Sequence, residues 1–530
     1  MSGIADAIEN VTGAWILPIM VGLPLIVAVV LVIARRLSDD VATLVAASTA
    51  TVTFVLAILA SIAAGPYRDG EMVLELDRSW VPALGVGFHF GMDGVSAPLV
   101  LLTGLLGVLV CVHSVRVRPA SGRARLLVAC YLAVVGGALA TFTVMDAVLF
   151  FIAFELVLVP MWFAIAFWGD DTQPDAPGRP GGEVARRDAA NRFILFTAIG
   201  SALMLVGLLY VALQTGTTDL GKLADLAGEG LSHDVQVIAA CFIVVGLSVK
   251  APAFGVHTWL PPAHTIAPTG GSVLLAGVLL KMGTYGLVRV AVPILPDGFR
   301  TVAPFLALFA VLGIVWAGLA CFVERDLKRL IALSSVAHMG FVLLGIASMT
   351  PQGLQGALFA NIAHGLITGL LFLTVGSLKD RHHTADLALI GAGLRDRVPR
   401  LGWLLAFGAV AGLGLPGLAG FWGELLAIVG TWQSTGASSS LGTAGRPFAV
   451  VAVVGTVIAA VYLLRVLRLV WHGAAADAPQ RVVPDATRHE VMVAAPLVVA
   501  TVALGLLPWL LLDLTGPAVR VLLIVSGGNQ

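Results

Sequence analysis

Long apolar runs separated by short polar connections constrain this chain more than any other feature of its sequence. At 1.5 Å per residue, each run is long enough to cross about 30 Å of hydrocarbon as a helix. Because 58% of the 530 residues are hydrophobic and only 12% are charged, a soluble core of this length could not bury them. The sequence predicts an all-α polytopic membrane protein with about fourteen transmembrane helices, near residues 15–34, 41–64, 97–113, 125–145, 146–168, 193–214, 235–257, 270–294, 302–323, 327–349, 353–378, 401–430, 448–470 and 491–514.

The distribution of lysine and arginine predicts the orientation of these helices. Alternate connections hold most of the basic side chains, and the positive-inside rule places such connections in the cytoplasm. The first run lacks a basic flank and a small-residue cleavage site, so we expect it to remain as helix 1. An Ala-, Gly-, Val- and Arg-rich composition favours a bacterial plasma (inner) membrane, and a mitochondrial or plastid membrane is the alternative. We predict both termini on the outer face, where the basic residues are only Arg68, Arg78, Lys222, Arg300, Arg446 and Arg520.

Composition and cysteine spacing exclude several classes of function. The formal net charge is +0, without the basic excess that nucleic-acid binding requires. The four cysteines lie far apart in apolar segments, without the spacing of an iron–sulfur or zinc site. No motif for a cofactor or a metal is found in the chain. Function is therefore expected from side chains inside the membrane.

Two polar connections are long enough to hold structure of their own. The outer segment 65–96 predicts a short hairpin or re-entrant piece, and Asp93 is expected to cap helix 3. The inner loop 169–192 is rich in Pro, Gly and charge and predicts a surface segment without chemistry. Three basic residues near helix ends are interpreted as interfacial or loop charges, namely Arg289, Lys328 and Arg329.

A few ionisable side chains interrupt the apolar runs. At the bilayer centre a charge costs at least ~2.5–3.5 kcal/mol, so such groups face the protein interior and often mark ion or proton pathways. Each histidine alone could be a hydrogen-bonded core residue, but two histidines between Lys281 and Glu424 in the sequence suggest a chain of titratable groups, as in a proton relay. The primary candidates are Glu155, Lys250, Lys281, His338, His364 and Glu424, and the secondary candidates are His257 and His264.

Glu155 and Lys250 admit two interpretations. A static salt bridge would lock two helices together. In a relay, the carboxylate raises the proton affinity of the lysine when the two are close, and apolar surroundings lower it when they separate. Lys281 has no acidic residue in its own helix. Because an unpaired buried lysine is a poor structural device, Lys281 favours the relay.

Two helix breaks adjoin these charges. Pro252 follows Lys250 in "GLSVKAPAFG", and glycines with Pro416 interrupt "GLGLPGLAGFWGE" just before Glu424. Freed backbone groups are tolerated in a membrane only where they line a cavity or the protein interior. Discontinuous helices 7 and 12, five apart, predict two inverted five-helix repeats, helices 4–8 and 9–13. The predicted units are residues 1–124 with helices 1–3, 125–294 and 295–470 with the two repeats, and 471–530 with helix 14 and a tail.

Four motifs in one order carry a family resemblance. The stretch "SVKAPAFGVHTWLPPAHTIAPTGGSVLLAGVLLKMGTYG" (248–286) resembles the antiporter-like membrane subunits of respiratory complex I and the related Mrp-type cation/proton antiporters. The stretches at 324–346, 361–381 and 414–426 resemble the same proteins, and the likeness covers roughly residues 90–430. Family members often carry an acidic residue where this chain has Pro262 and a polar residue where it has Ile266.

Within that superfamily, Glu424 resembles the M-type subunit of NADH:quinone oxidoreductase, since most relatives carry lysine there. The chain also ends at Gln530, which leaves no room for the long lateral helix of an L-type subunit. The resemblance implies a translocase subunit with one proton channel. Glu155 would modulate Lys250, which would pass its proton to Lys281. His338 and His364 would extend the route, and Glu424 would release the proton outward.

The resemblance also implies partners for this chain, and alternative functions have to be weighed against it. The partners would be the L-type and N-type antiporter-like subunits and the lipid bilayer. NADH, FMN, iron–sulfur clusters and quinone would bind elsewhere in the complex, so this chain would perform no redox chemistry itself. The alternatives are a subunit of an Mrp-type Na⁺/H⁺ antiporter, a membrane subunit of a hydrogenase or formate complex, and a structural scaffold. Glu424 argues against the antiporter, and a scaffold leaves the titratable groups beside both breaks unexplained.

Overall fold

The computed structural model describes residues 13–65, 70–82, 85–119, 121–170, 182–436, 439–472 and 483–526. Arg68, residues 171–181 of the predicted inner loop and both chain termini lie outside this part. Within it, thirteen helices are long and apolar enough to cross a membrane, and α12 adds two shorter segments. The predicted all-α polytopic fold is confirmed. The helices are α1 (Ile16–Ile33), α2 (Asp39–Ala63), α3 (Ser96–Arg116), α4 (Ala124–Thr143), α5 (Ala147–Trp168), α6 (Gly182–Thr215), α7 (His233–Lys250 and Leu260–Ile266), α8 (Thr269–Ile294), α9 (Pro296–Val323), α10 (Leu327–Ala347), α11 (Pro351–His382), α12 (Pro399–Ala411 and Ala419–Gln433), α13 (Gly442–Trp471), α14 (Arg488–Leu506) and α15 (Trp509–Val525).

Three central helices, α8, α10 and α11, are almost entirely buried by the others. The peripheral helices α1, α2, α6 and α13 keep large apolar side chains exposed, as expected of helices that face lipid. Close packing at the centre depends on small residues. A Cβ atom on Gly283 of α8 would lie 2.7 Å from the backbone nitrogen of Ala251. This approach brings α8 directly against the end of the first segment of α7.

Helices α7 and α12 are interrupted, as the sequence predicts. The first segment of α7 ends at Lys250, and turns without regular helix separate it from Leu260–Ile266. In α12 the interruption spans residues 412–418, where Gly414 and Gly417 adopt positive φ angles of 71° and 92°. Both conformations favour glycine because a Cβ atom would clash. The inverted relation between the two five-helix units stays a prediction.

Two π-helical turns lie in α8, which the sequence pattern does not reveal. They span Leu275–Leu279 and Leu287–Ala291. Each accommodates one residue more than an α-helical turn, and such turns occur frequently at functional sites. Lys281 lies between them, and Arg289 lies within the second.

The connections divide between two faces of the molecule. The hairpin face carries β1 (Val73–Val81) and β2 (Val86–Met92), which pair antiparallel and confirm the predicted hairpin. The opposite face, here called the basic face, carries the connections α1–α2, α3–α4, α5–α6, α7–α8, α9–α10, α11–α12 and α13–α14. Asp93 caps α3 as predicted, by accepting from the amides of Val95 and Ser96 at 3.0 and 3.1 Å.

The last apolar run ends earlier than predicted. Helix α14 stops at Leu506, shortly before Pro508. Proline lacks the N–H that a helix interior requires. A further helix, α15, follows where the sequence predicts a tail. Its residues from Leu514 onward contact hairpin-face residues, including a hydrogen bond of 3.0 Å from Arg300 Nη2 to the carbonyl of Ser526. From Leu514 onward, α15 therefore lies along the hairpin face.

Candidate functional site

Lys250 lies at the break in α7 and is 1% exposed. Its Nζ lies 4.6 Å from the centroid of the Phe154 ring, which places the ammonium over the negative face of an aromatic group. Within the described residues, Nζ has no hydrogen-bond partner. Glu155 is close enough to act on it electrostatically, but the two do not form an ion pair within 4.0 Å. The two groups are thus neighbours without a static salt bridge.

Lys281 contacts a histidine of α11 in the buried centre. Its Nζ donates to the carbonyl of Ala276 at 2.7 Å and lies 2.6 Å from His364 Nδ1. Nδ1 can accept this bond only when the His364 ring is neutral. The other ring nitrogen of His364, Nε2, has no partner in the described part of the chain. His364 therefore has one nitrogen bonded to the lysine and one free to exchange a proton.

His338 and Glu424 continue the array towards the break in α12. The His338 and His364 rings have centroids 6.1 Å apart, and His338 Nδ1 lies 3.0 Å from Glu424 Oε1. These three side chains line a cavity of about 30 Å³, bordered by Gly412 and Gly420 of α12. A polar cavity above ~10–15 Å³ can hold a water molecule. The structure thus brings Lys281, His364, His338 and Glu424 into one array ending at a helix break.

His264, a secondary candidate, lies between this array and the basic face. It is fully buried, its ring stacks on Phe372 at 4.7 Å, and neither ring nitrogen has a partner in the structure as described. It lies within electrostatic reach of both Lys281 and Lys328. His257, the other secondary candidate, packs against Phe254 and Trp316. The described contacts do not connect His257 to the array.

Asp170, Lys328 and Lys379 form a cluster at the basic face that the sequence analysis missed. Asp170 Oδ2 accepts from Lys328 Nζ at 2.7 Å and from Lys379 Nζ at 2.6 Å, and Lys328 also donates to the carbonyl of Ala267 at 2.5 Å. Burial opposes ionisation of Asp170, but the two ammonium groups outweigh it and lower the pKa of its carboxyl. The interpretation of Lys328 as an interfacial charge is wrong, since Lys328 is 1% exposed. Asp170 belongs to the predicted inner loop, and its two lysine partners were not predicted from the sequence.

Arg289 likewise differs from its interpretation as an interfacial charge. It is buried and forms an ion pair with Asp93, and its Nε donates to the hydroxyl of Tyr285 at 3.3 Å. Asp93 lies 196 residues away in the sequence, so no local pattern connects the two. These two partners, a carboxylate and a hydroxyl, give the buried Arg289 a structural role.

Taken together, the array can hold and exchange protons at several neighbouring atoms. One amine, two imidazoles and one carboxylate follow each other in this array. Two of the three contacts between them are within hydrogen-bond distance, and a cavity with room for water adjoins them. Ionisable groups at membrane depth beside interrupted helices define the class of ion- or proton-translocating membrane proteins.

Residues 144–458 match the family described as NADH:quinone oxidoreductase/Mrp antiporter, transmembrane. This match covers more than half of the chain, and the chain belongs to that family. The predicted resemblance to antiporter-like membrane subunits is confirmed.

Relatives and solved structures agree with this assignment. The chain is 37% identical over 518 residues, 95% of both chains, to NADH-quinone oxidoreductase subunit M of Rhodobacter capsulatus. It is 33% identical over 491 residues to subunit M of Rickettsia typhi, covering 93% of this chain and 94% of the relative. A chain of respiratory complex I from Thermus thermophilus with bound NADH matches with a TM-score of 0.82 and 26% identity, over 97% of this chain and 100% of that chain. A chain of the Mrp complex from a Dietzia species has the same fold, with a TM-score of 0.81, 22% identity and 96% and 97% coverage.

Proposed function

We propose that this chain is the M-type membrane subunit of an NADH:quinone oxidoreductase and that it moves protons across a bacterial plasma membrane. The observation that carries the proposal is the buried array Lys281–His364–His338–Glu424 between two interrupted helices. The names of the relatives in Rhodobacter and Rickettsia support the M type. Glu424 supports it as well, because it resembles the M-type subunit at a position where most relatives carry lysine.

The relay runs along the array from α7 to α12. Glu155 modulates the proton affinity of Lys250 by approaching or leaving it, because no ion pair fixes the two together. Lys250 passes its proton through buried water to Lys281. His364 accepts from Lys281, and His338 carries the proton on to Glu424, with water in the adjoining cavity completing the steps that are not direct contacts. Glu424 releases the proton outward.

Protons reach the array from the basic face. Lys328 and Lys379 share the Asp170 carboxylate, and His264 lies within electrostatic reach of Lys328 and Lys281. The unpartnered nitrogens of His264 allow it to bind and release a proton between them. The positive-inside rule orients the basic face towards the cytoplasm, which places both termini on the outer face.

The driving force comes from outside this chain. Moving one charge across a membrane costs ~2.3 kcal/mol per 100 mV. Other subunits bind NADH, FMN, iron–sulfur clusters and quinone and supply that energy.

The L-type and N-type subunits adjoin this one in the membrane. Glu155 favours such a neighbour, because it is only half-buried on a surface with exposed Ile152 and Leu156, and a carboxylate in contact with lipid is costly.

The first experiment measures NADH-driven acidification of inside-out vesicles with Lys250→Ala, normalised to assembled complex. We expect pumping to fall about tenfold or more, since positioned proton carriers contribute roughly 10²–10⁴, and Glu155→Gln to lower it less. Assembly should be retained, because Lys250 Nζ makes no hydrogen bond that the variant would break. Unchanged pumping with lost sodium/proton exchange would move the chain to the antiporter class. No change in either assay would reduce Lys250 to a structural charge.

A pair of histidines provides a matched comparison. His364→Ala removes the group in contact with Lys281 and should lower pumping as strongly as Lys281→Ala. His257→Ala, also a buried histidine in the membrane, should leave pumping within about twofold, because His257 packs against Phe254 and Trp316 outside the array. The same vesicle assay measures both variants. Equal losses in the two would contradict the proposed route.

A further inference from the structure

A large groove at the basic face lies apart from the relay. It has a volume of about 800 Å³ and runs between the first segment of α12 and the first half of α14. Cavities of ~300–1,000 Å³ are the size that holds a small-molecule ligand. The groove is lined by Arg400, Trp403, Leu404, Phe407, Arg488 and Val491, with Met492 at its rim.

The walls of this groove are apolar and open to the membrane. Trp403 is 58% exposed and Met492 is 73% exposed, and both belong to helices that cross the apolar layer. Trp403 packs edge-on against Trp471, with ring centroids 5.0 Å apart. Tryptophans gather at the headgroup level of a bilayer. The groove therefore begins at headgroup level and extends into the acyl-chain region.

Two arginines stand where the groove meets the basic face. Arg400 Nη1 donates to the carbonyl of Ala486 at 3.0 Å, and within the described residues neither Arg400 nor Arg488 has a carboxylate within ion-pair distance. The nearby acids are committed elsewhere. Asp485 accepts from the backbone amides of Arg400 and Leu401, and Glu490 pairs with Arg381 at 2.7 Å. The guanidinium groups thus keep donors available for an anion.

The helix ends themselves do not supply those donors. Asp485 already occupies the amides at the start of α12, and Thr487 with Glu490 forms a capping box at the start of α14. An anion at this place would be held by the two guanidinium groups, which bind phosphate oxygens in bidentate geometry.

We propose that this groove binds an anionic phospholipid, with its phosphate between Arg400 and Arg488 and an acyl chain against Trp403, Leu404, Phe407 and Val491. Basic pockets between transmembrane helices on the cytoplasmic side suit anionic headgroups. A neighbouring apolar helix fits less well, because it would bury two arginines without offering them an anion. The proposal does not rest on proton translocation.

Native mass spectrometry of the purified full chain tests the site, with dioleoylphosphatidylglycerol and dioleoylphosphatidylcholine as probes. We expect preferential binding of phosphatidylglycerol, and a loss of about tenfold or more in Arg400→Gln/Arg488→Gln, which lacks both charge-assisted contacts. Arg35→Gln/Arg36→Gln is the matched control, since it removes two basic-face charges away from the groove and should change nothing. Equal binding of the two lipids, or equal losses in both double variants, would overturn the proposal.

A second measurement keeps both arginines and uses the assembled protein in its membrane. Met492 is replaced by photoreactive benzoylphenylalanine, because its side chain is exposed at the rim of the groove. Light should produce a cross-link to phospholipid, which mass spectrometry identifies as phosphatidylglycerol or a related anionic lipid. A cross-link to a neighbouring polypeptide, or to phosphatidylcholine-type lipids alone, would overturn the assignment.

Discussion

Single side chains divide the buried charges of this protein into two kinds. Arg289 is paired with Asp93, and Lys328 and Lys379 share the single carboxylate of Asp170. Lys250 and Lys281 have no carboxylate within 4.0 Å among the described residues. Paired charges hold helices together, whereas a lysine bonded to a histidine or to no group at all can change its proton occupancy without breaking an ion pair.

Asp93→Asn should destabilise the protein strongly. The change leaves Arg289 buried without its counter-ion, and removing one partner of a buried pair costs ~3–5 kcal/mol. Thermal unfolding in detergent should show a large drop in the midpoint. Asp40→Asn is the control, because Asp40 pairs with Arg118 at the surface with 79% of its side chain exposed, and such pairs contribute ~0–1 kcal/mol. Similar midpoints for the two variants would contradict the structural role of the Asp93–Arg289 pair.

The sequence predicted the residues of the array but not their contacts. Lys281, His338, His364 and Glu424 stand out because each interrupts an apolar run. Their neighbours could not be predicted, since Lys281 and His364 are 83 residues apart and meet only through helix packing. Lys328 was missed for a different reason. It is the second residue of α10, where a solvated charge is the usual interpretation, and its ammonium is paired with Asp170.

At the scale of elements, the break in α12 leaves room for the Glu424 carboxylate beside a glycine. Gly414 has a φ of +71°, and a Cβ atom there would lie 3.0 Å from Glu424 Oε2. Gly414→Ala should cost ~1–2 kcal/mol of stability through the left-handed backbone and should also displace the carboxylate and lower pumping. Gly216→Ala is the matched control, with a φ of +73° and open space around it. Pumping that is equal in the two variants would contradict the role of the break in positioning Glu424.

The hairpin is attached to the α6–α7 connection by a contact between two titratable side chains. His89 Nδ1 lies 2.9 Å from Asp219 Oδ2, with Asp77 and Glu75 nearby. Burial opposes the charged ring, but the acids outweigh it and raise the pKa of His89 above 6.5. Burial also opposes the Asp219 carboxylate, but the bond to His89 outweighs it and lowers the pKa of Asp219 below 3.8. The stabilisation by His89 is complete below pH 6.5 and is lost as pH rises through its raised pKa, whereas that of Asp219 is lost only in strong acid.

Hydrogen exchange should report this pH dependence. The amide of Met145 donates to the carbonyl of His89 at 2.9 Å, so its protection follows hairpin attachment. After correction for intrinsic rates, we expect the Met145 amide to be better protected at pH 6 than at pH 8. In His89→Gln the difference should disappear. Wild-type protection that is the same at both pH values would contradict a charged His89–Asp219 contact.

At the scale of the whole molecule, the two faces should be reachable from opposite sides of the membrane. Arg78 is exposed on the hairpin and Asp396 is exposed on the basic face. A membrane-impermeant maleimide should label Arg78→Cys in right-side-out vesicles and Asp396→Cys in inside-out vesicles. The unsubstituted chain is the control, because its cysteines are buried or lie on membrane-spanning helices. The reverse pattern would overturn the proposed orientation.

The overall architecture was largely predictable because hydrocarbon thickness imposes the length of each helix. The structure differs from the prediction where a single residue or local packing determines the helix and hydropathy does not. Apolar residues continue past Leu506, yet Pro508 ends α14 and directs α15 along the hairpin face. The π-helical turns of α8 also escaped prediction, because they depend on packing in a fully buried helix and have no composition of their own.

Those turns set the angular phase of α8. A residue added to or removed from a helix rotates everything beyond it by about 100°. Removing one codon between Leu275 and Leu279 would convert the first π-helical turn to an α-helical one and leave hydropathy and reading frame intact. Lys281 would then keep its direction towards His364, because the π-helical turn had accommodated the extra residue. A deletion within this turn should therefore be tolerated, whereas a deletion of one residue in a regular α-helical stretch before the lysine would turn it away from His364.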